Sequence, residues 1–251
     1  MAEEKPPRVR SLTRFLKWAA QFENGEYLFR GVSNDTYEIQ ASASRRLDKE
    51  DRNPVQLLKV NQDLIDKARL LGHDRQDGHQ LSALELLAQL QHYGAATCLI
   101  DFMRNALVAL WMACQQSTRR KNANGKVFAV RSDNRSQFRN VTPQRLKDEE
   151  IEFFFRKENG RFPLYQWQPK YQNNRIIAQQ SVFVFGGADV PVEAECIILA
   201  GGKDGILTSL DKIWVSLKRA FIPTLTGSRA CTPGISHTLR QKLLTSCNAE
   251  L

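Results

Sequence analysis

The sequence predicts an α+β fold, with helices concentrated in the N-terminal half and packed on a mainly antiparallel sheet. Before Gln116, apolar residues recur mostly at helical spacing; after it, short runs rich in β-branched and aromatic residues dominate. Helices and strands do not alternate regularly, which argues against a doubly wound parallel sheet. With 251 residues, of which 42% are hydrophobic and 25% charged, the chain has the composition of one ordered globular domain.

The first elements are predicted to be one helix and one strand. Ser11 can cap a helix, because apolar residues follow it at helical spacing as far as Phe22, and Asn24-Gly25 then ends the pattern. Residues 26–30 form a short, aromatic-rich run that Gly31 closes. This pattern predicts a strand that carries Arg30 at its end, at the rim of a sheet.

The next segments predict two amphipathic helices, a buried strand and a buried helix. Asn53 before Pro54 marks a helix start, and the apolar stripe that follows runs to residue 71. A second helix ends near His92, because Gly94 breaks it. Residues 97–101 then predict a brief buried strand, and residues 105–116 a helix that is apolar on nearly all sides.

The second half predicts mostly strands. The candidate strands cover residues 127–130, 175–185 and 196–199, and a last helix covers 209–221 before Pro223. The predicted organisation is therefore an N-terminal extension (1–10), one domain (11–223) and a polar tail (224–251) without clear periodicity.

Composition excludes several classes of protein. No apolar run reaches the roughly 20 residues of a membrane helix, and the first residues lack the apolar core of a secretory signal, so we expect a cytoplasmic protein without a membrane partner. The five cysteines are widely spaced without a CxxC pair, so neither a disulfide framework nor a metal site is expected. Glycine-rich nucleotide-binding motifs and the GxSxG elbow are absent. The net charge of +9 mildly favours phosphate-rich partners.

Three motifs occur in a fixed order along the chain. The first motif is Phe29-Arg30-Gly31. The second runs from Gln91-His92-Tyr93-Gly94 through Thr97 and Leu99-Ile100-Asp101 to Asn105, residues 107–110 and Ala113. The third joins Pro169 to residues 175–180 and Phe183. In this order they resemble the FRG family, a bacterial and phage module named for its Phe-Arg-Gly tripeptide. This sequence departs from the family at Cys98, where arginine is usual, at Phe102 (tryptophan) and at Ser181 (glycine). The missing arginine removes one expected partner for a phosphate or a carboxylate.

The resemblance implies a fold and an activity similar to those of ADP-ribosyltransferases, with NAD as the substrate and a protein or nucleic acid as the acceptor. Arg30 would grip the diphosphate, and Gly31 would let the backbone approach it. His92 and Tyr93 would line the nicotinamide-ribose pocket, with Asp101 in support. Gln179 or Gln180 would orient the acceptor; because the two are adjacent in a predicted strand, only one can face a cleft.

Each of these residues also has a structural interpretation. Arg30 can form a structural pair with Asp101, His92 can interact with a helix C-terminus, Tyr93 can cover the core, and Asp101 can cap the helix that follows it. A glutamine amide cannot stabilise a cation as a carboxylate does, and Glu85, Glu193 and Glu195 are not obviously placed to replace it. A Cys98–His92 nucleophilic pair is disfavoured, because a thiol in an apolar strand stays protonated.

The alternative function is a non-catalytic module that binds a nucleotide, a nucleic acid or a protein. Either function fits a component of a toxin or phage-defence system. The oligomeric state cannot be predicted from the sequence.

Overall fold

The computed structural model describes residues 5–22, 25–76, 78–116, 120, 122–133, 137–169 and 181–221, the last range with side chains to residue 213. The strands are β1 Arg8–Val9, β2 Tyr27–Val32, β3 Arg75–Gln76, β4 His79–Gln80, β5 Ile100–Met103, β6 Gly125–Arg131, β7 Phe138–Asn140, β8 Leu164–Trp167, β9 Ser181–Gly186 and β10 Ala194–Ile198. The helices are α1 Leu12–Ala19, α2 Ser42–Arg46, α3 Pro54–Leu70, α4 Ala83–His92, α5 Ala106–Cys114, α6 Pro143–Asp148 and α7 Lys203–Phe221. Short 3-10 helices cover Ala20–Phe22, Lys49–Asp51, Ile151–Phe155 and Ala200–Gly202.

Eight of these strands form one sheet, in the order β1-β10-β6-β2-β5-β9-β8-β7. The two outermost pairs, β1 with β10 and β7 with β8, are parallel, and all the pairs between them are antiparallel. Strands β3 and β4 form a separate hairpin. The predicted α+β class and the mainly antiparallel sheet are therefore confirmed. No helix in the described ranges is long and apolar enough to span a membrane.

Helices cover one face of the sheet in two groups. The first core cluster packs α3, α4 and residues 151–155 against β8 and β9. The second packs α1, α5 and α7 against β2, β6 and β10. Because successive residues of a strand point to opposite faces, Leu28 and Phe102 belong to a third cluster on the other face, which the segment around Ala41 covers.

The two helical groups meet where strands β2 and β5 run side by side. These strands pair at Phe29 and Met103, whereas β2 pairs with β6 over its whole length and β5 does so with β9. Beyond Phe29 and Met103 no further residue pair joins β2 to β5 in the part of the chain described. We call this place, formed by residues 30–31 of β2 and 101–102 of β5, the seam.

Local signals located the principal helices well. Asn53 caps α3, because its side-chain oxygen accepts from the backbone N–H groups of Val55 and Gln56 at 3.1 and 3.0 Å. Helix α1 begins after Ser11 as predicted, but the Ser11 side chain makes no capping hydrogen bond. Strands β1, β3, β4, β7 and β8 and helices α2 and α6 were not predicted.

Three predicted elements are shifted. Strand β2 continues through Gly31 to Val32, because these residues keep pairing with β6, so Arg30 lies within the strand and not at its end. Strand β5 begins at Ile100 and not at Thr97, because Thr97 bonds to α2 instead of to a neighbouring strand: its carbonyl accepts from Ala43 N at 3.0 Å. Helix α7 begins at Lys203 instead of Ser209. The buried Lys203 ammonium donates to the carbonyls of Ser33 and Gln115 at 2.9 and 3.2 Å, and burial lowers its pKa. Residues 175–180 and the tail 224–251 lie outside the described residues.

Candidate functional site

Arg30 lies half-buried in the seam. Its Nη1 donates to the main-chain carbonyl of Asp101 at 2.6 Å. The guanidinium therefore forms a hydrogen bond between β2 and β5 at a place where the two strands are not paired. Its Nε is buried and has no hydrogen-bond partner among the described residues. Leaving a buried donor unsatisfied costs about 1–3 kcal/mol, so Arg30 keeps hydrogen-bonding capacity that the described residues do not use.

Asp101 uses its main chain and its side chain for different contacts. Its carbonyl accepts from Arg30, and its Oδ2 accepts from Gln91 Nε2 at 2.8 Å. Asp101 lies within β5 and does not cap α5; that cap is Asn105, whose Oδ1 accepts from Leu107 N at 2.9 Å. The predicted support of Arg30 by Asp101 thus takes the form of a backbone bond.

Gln91 connects the end of α4 to the strand beside the seam. While its Nε2 donates to Asp101, its Oε1 accepts from the hydroxyl of the buried Thr97. The Thr97 Oγ1 also accepts from Leu99 N at 3.2 Å. Sequence reasoning placed both residues in a motif but gave them no role. The sequence feature that could have indicated a role is the Gln91 amide at the end of an apolar helix, because an amide both donates and accepts hydrogen bonds.

His92, the last residue of α4, and Tyr93, which caps the helix, are both exposed. Tyr93 is 77% exposed to solvent, so it does not cover the core. The two rings meet edge to face, with centroids 5.4 Å apart. Gly94 takes a φ of +91°, a backbone conformation that glycine adopts readily, and the chain turns away from the helix there. The result is an exposed imidazole and phenol at a helix end that Gln91 anchors.

Gly31 is in close contact with helix α5. A Cβ added to Gly31 would lie 1.8 Å from the Ala109 carbonyl oxygen, and one added to Gly125 of β6 would lie 2.0 Å from that of Ala113. Glycines on neighbouring strands therefore let the backbone of α5 lie directly on the sheet. This packing accounts for a glycine at position 31 whether or not a ligand approaches it.

Comparison with known protein families adds an independent observation. The family model described as FRG domain matches residues 25–122. This chain contains an FRG domain. The match begins just before β2 and extends beyond α5, so it includes Arg30, the Gln91 network and Asp101. No curated protein and no solved structure matches the chain.

The third motif lies beyond the matched part of the FRG domain. Gln179 and Gln180 directly precede Ser181, the first residue of β9, and both are outside the described residues. Their predicted role in orienting an acceptor stays a prediction. Ser181 pairs with Met103 on β5, so the third motif leads into the strand that adjoins the FRG domain.

The three carboxylates considered as substitutes have other partners. Glu85 belongs to the capping box of α4 with Ser82. Glu195 lies 3.5 Å from Lys126 Nζ, and Glu193 lies 3.8 Å from Arg131 Nη2. Glu85 is thus held at the start of α4, and Glu193 and Glu195 are held beside cations of β6. None of these contacts involves Arg30.

The buried cysteine of the FRG domain is not poised as a nucleophile. Burial raises the pKa of Cys98 to about 12, so the thiol stays protonated at neutral pH. This finding agrees with the sequence argument against a Cys98–His92 pair. In the described ranges, no group of three or more histidine, cysteine or acidic side chains is arranged to hold a metal ion.

Proposed function

We propose that this FRG domain binds NAD at the seam and transfers ADP-ribose from it to a protein or nucleic acid acceptor. The single observation that carries the proposal is Arg30, a half-buried guanidinium with one bond to the protein and a buried Nε without a partner in the described structure. A diphosphate offers several anionic oxygens to a planar, five-donor group, which suits arginine better than a lone acceptor would.

The proposal assigns a role to each of the other candidate residues. Asp101 holds the Arg30 guanidinium through its carbonyl, and Gln91 holds the Asp101 carboxylate. Tyr93 has an exposed ring that can stack on a base or a nicotinamide, and the adjacent His92 can hydrogen-bond a ribose. Gln179 or Gln180 is proposed to orient the acceptor.

The substrate and the protein contribute different parts of the proposed reaction. When bound, NAD supplies a nicotinamide leaving group and a ribose that develops positive charge as nicotinamide departs. The side chains proposed here bind and orient: arginine neutralises the diphosphate and the aromatic ring limits access of water. A glutamine holds an acceptor by hydrogen bonds but does not act as a base. Transfer is therefore expected to be slower than in a site that has a late carboxylate.

A specific observation favours the alternative, a non-catalytic module that recognises a nucleotide, a nucleic acid or a protein. Glu85, Glu193 and Glu195 are engaged in a helix cap or beside cations on β6. Arg30 could then serve recognition alone. Either activity would suit a bacterial toxin or phage-defence component, and a cytoplasmic location stays a prediction from the sequence.

Calorimetric titration with NAD tests the proposed function. We expect Arg30→Ala to weaken NAD binding at least about tenfold, since charge-assisted hydrogen bonds contribute about 1.5–3 kcal/mol each. Arg30→Lys keeps the charge but loses the planar fork, and should bind with intermediate affinity. Arg104→Ala is the matched control, because Arg104 is exposed and donates only a 3.4 Å bond to the Gly25 carbonyl.

Release of nicotinamide separates the two functions. Nicotinamide release by the native chain, lost in Arg30→Ala while the thermal melt shows a folded protein, would support the transferase. NAD binding without release would support the binding module. A folded native chain that does not bind NAD would contradict the proposal.

A further inference from the structure

A second candidate site lies away from the seam, in a groove of about 480 Å³ between helices α2 and α3. Most of its lining, which we call the floor, is apolar and includes Leu47, Val60, Leu64, Ala95 and Ala96. The volume falls within the range of about 300–1,000 Å³ that is usual for small-molecule sites.

The second FRG motif holds this groove open. Thr97 N donates to Ser42 Oγ at 3.0 Å, and the Thr97 carbonyl accepts from Ala43 N at 3.0 Å. These bonds fix the start of α2 beside the turn that contains Ala95 and Ala96. Since Thr97 also bonds to Gln91, one network anchors both the end of α4, where His92 and Tyr93 lie, and the groove. The groove is therefore formed before any ligand arrives.

Charged side chains stand at the rim of the groove. Arg46 of α2 and Lys67 of α3 are both exposed, and neither side chain has an ion pair or hydrogen bond in the described part of the chain. Asp63 of α3 is the acidic group on the same rim. Residues 60, 63, 64 and 67 of α3 share one helical face. The groove thus combines a mostly apolar lining with two cations, Arg46 and Lys67, and with one carboxylate, Asp63.

We propose that this groove binds single-stranded nucleic acid, with a base on the apolar floor and flanking phosphates at Arg46 and Lys67. A base has an apolar planar face that can pack against the apolar lining. The phosphates on either side of the base carry negative charge and can form ion pairs with the two cations. The net charge of +9 favours such a polyanion. A duplex keeps its bases stacked inside, where a groove floor cannot reach them. This site needs no NAD and goes beyond the proposed transferase.

Fluorescence anisotropy with a labelled single strand of about ten nucleotides tests the inference. We expect Lys67→Glu and Arg46→Glu each to weaken binding at least about tenfold, and each to reduce the slope of log affinity against log salt by about 0.7. Asp63→Asn removes the opposing charge and should tighten binding. Ala95→Ile narrows the groove without changing its charge or adding an aromatic ring on which a base could stack, and should weaken binding.

Lys17→Glu is the matched control for net charge. Lys17 is exposed on α1, which packs in the second cluster, away from the groove. An equal loss in Lys17→Glu would show non-specific attraction and overturn the proposal. Equal binding of a duplex or of poly-glutamate by the native chain would also overturn it, since neither presents unpaired bases. If Ala95→Ile does not fold, the opposite effects of Lys67→Glu and Asp63→Asn still show whether binding depends on the charges of the groove.

Discussion

The amide of Gln91 joins segments that serve different parts of the FRG domain. Its Nε2 reaches Asp101 beside the seam, and its Oε1 reaches Thr97, whose main chain supports α2. Because an amide donates from one end and accepts at the other, no apolar or charged residue of the same size can make both bonds. Residues with direct roles in the proposed functions, Arg30 and Tyr93, therefore depend for their positions on a side chain that need not touch a ligand.

Gln91→Leu is expected to lower the free energy of unfolding by about 1–3 kcal/mol, because it removes the two hydrogen bonds that the Gln91 amide makes, one with the Asp101 carboxylate and one with the Thr97 hydroxyl. Urea denaturation measures the change. Thr97→Val should show a coupling with Gln91→Leu of at least about 0.5 kcal/mol in a double-mutant cycle. The exposed Tyr93→Ala control should stay within about 0.5 kcal/mol of the native protein. Additive effects of Gln91→Leu and Thr97→Val would refute the network.

Helix α5 is the element whose position depends most on close backbone contact. Its Ala109 and Ala113 carbonyls lie against Gly31 and Gly125, so the helix rests on the sheet without intervening side chains. This contact keeps α5 close behind the strand that carries Arg30. Asn105 caps α5 at its start, and that cap fixes where the helix leaves β5.

Gly31→Ala is expected to destabilise the protein by about 1–3 kcal/mol or more, because its Cβ would meet the Ala109 carbonyl oxygen at 1.8 Å and α5 must shift. The matched control is Gly205→Ala in the first turn of α7, where a Cβ would meet nothing within 4 Å. That change should raise stability by up to about 1 kcal/mol through helix propensity. Thermal melts of both variants give the comparison, and a neutral Gly31→Ala would show that the packing argument is wrong.

At the scale of the molecule, the described part of the chain is organised as two helical groups on one continuous sheet. Cys98 lies in the first core cluster, whereas Cys114 and Cys196 lie in the second. All three are free and buried, and burial raises the pKa of each to about 12. Since eight strands connect the groups without interruption, we expect them to unfold together although β2 and β5 pair little.

Thiol labelling across a denaturant series tests this expectation. In a Cys231→Ser, Cys247→Ser background, the native protein should react negligibly, because its thiols are buried and protonated. Single-cysteine variants that retain Cys98 or Cys196 should become reactive at the same denaturant concentration. Reaction of Cys98 at a lower concentration would instead identify the first group as a separate unfolding unit.

The elements that the sequence predicts correctly are those whose signals are local. Helical periodicity with the Asn53-Pro54 start located α3, Gly94 located the end of α4, and the aromatic run before Gly31 located β2. The short outer strands carry no such signal, since β1 has two residues and β7 has three. A pattern that short has too few repeats to show a period, and only pairing with β10 or β8 makes it a strand.

The sequence by itself determined the α+β class, the order of the main elements, the FRG motifs and the candidate residues, because these follow from spacing along the chain. Only the tertiary structure decided that Arg30 donates a hydrogen bond to a carbonyl across the seam and that Tyr93 is exposed. It also decided that Gly31 allows close packing of α5 and that Gln91 connects three segments by hydrogen bonds. Gln179 and Gln180 stay predictions. The physical reason is that strand order, exposure and hydrogen-bond partners depend on residues far apart in the chain, whose proximity no local pattern encodes.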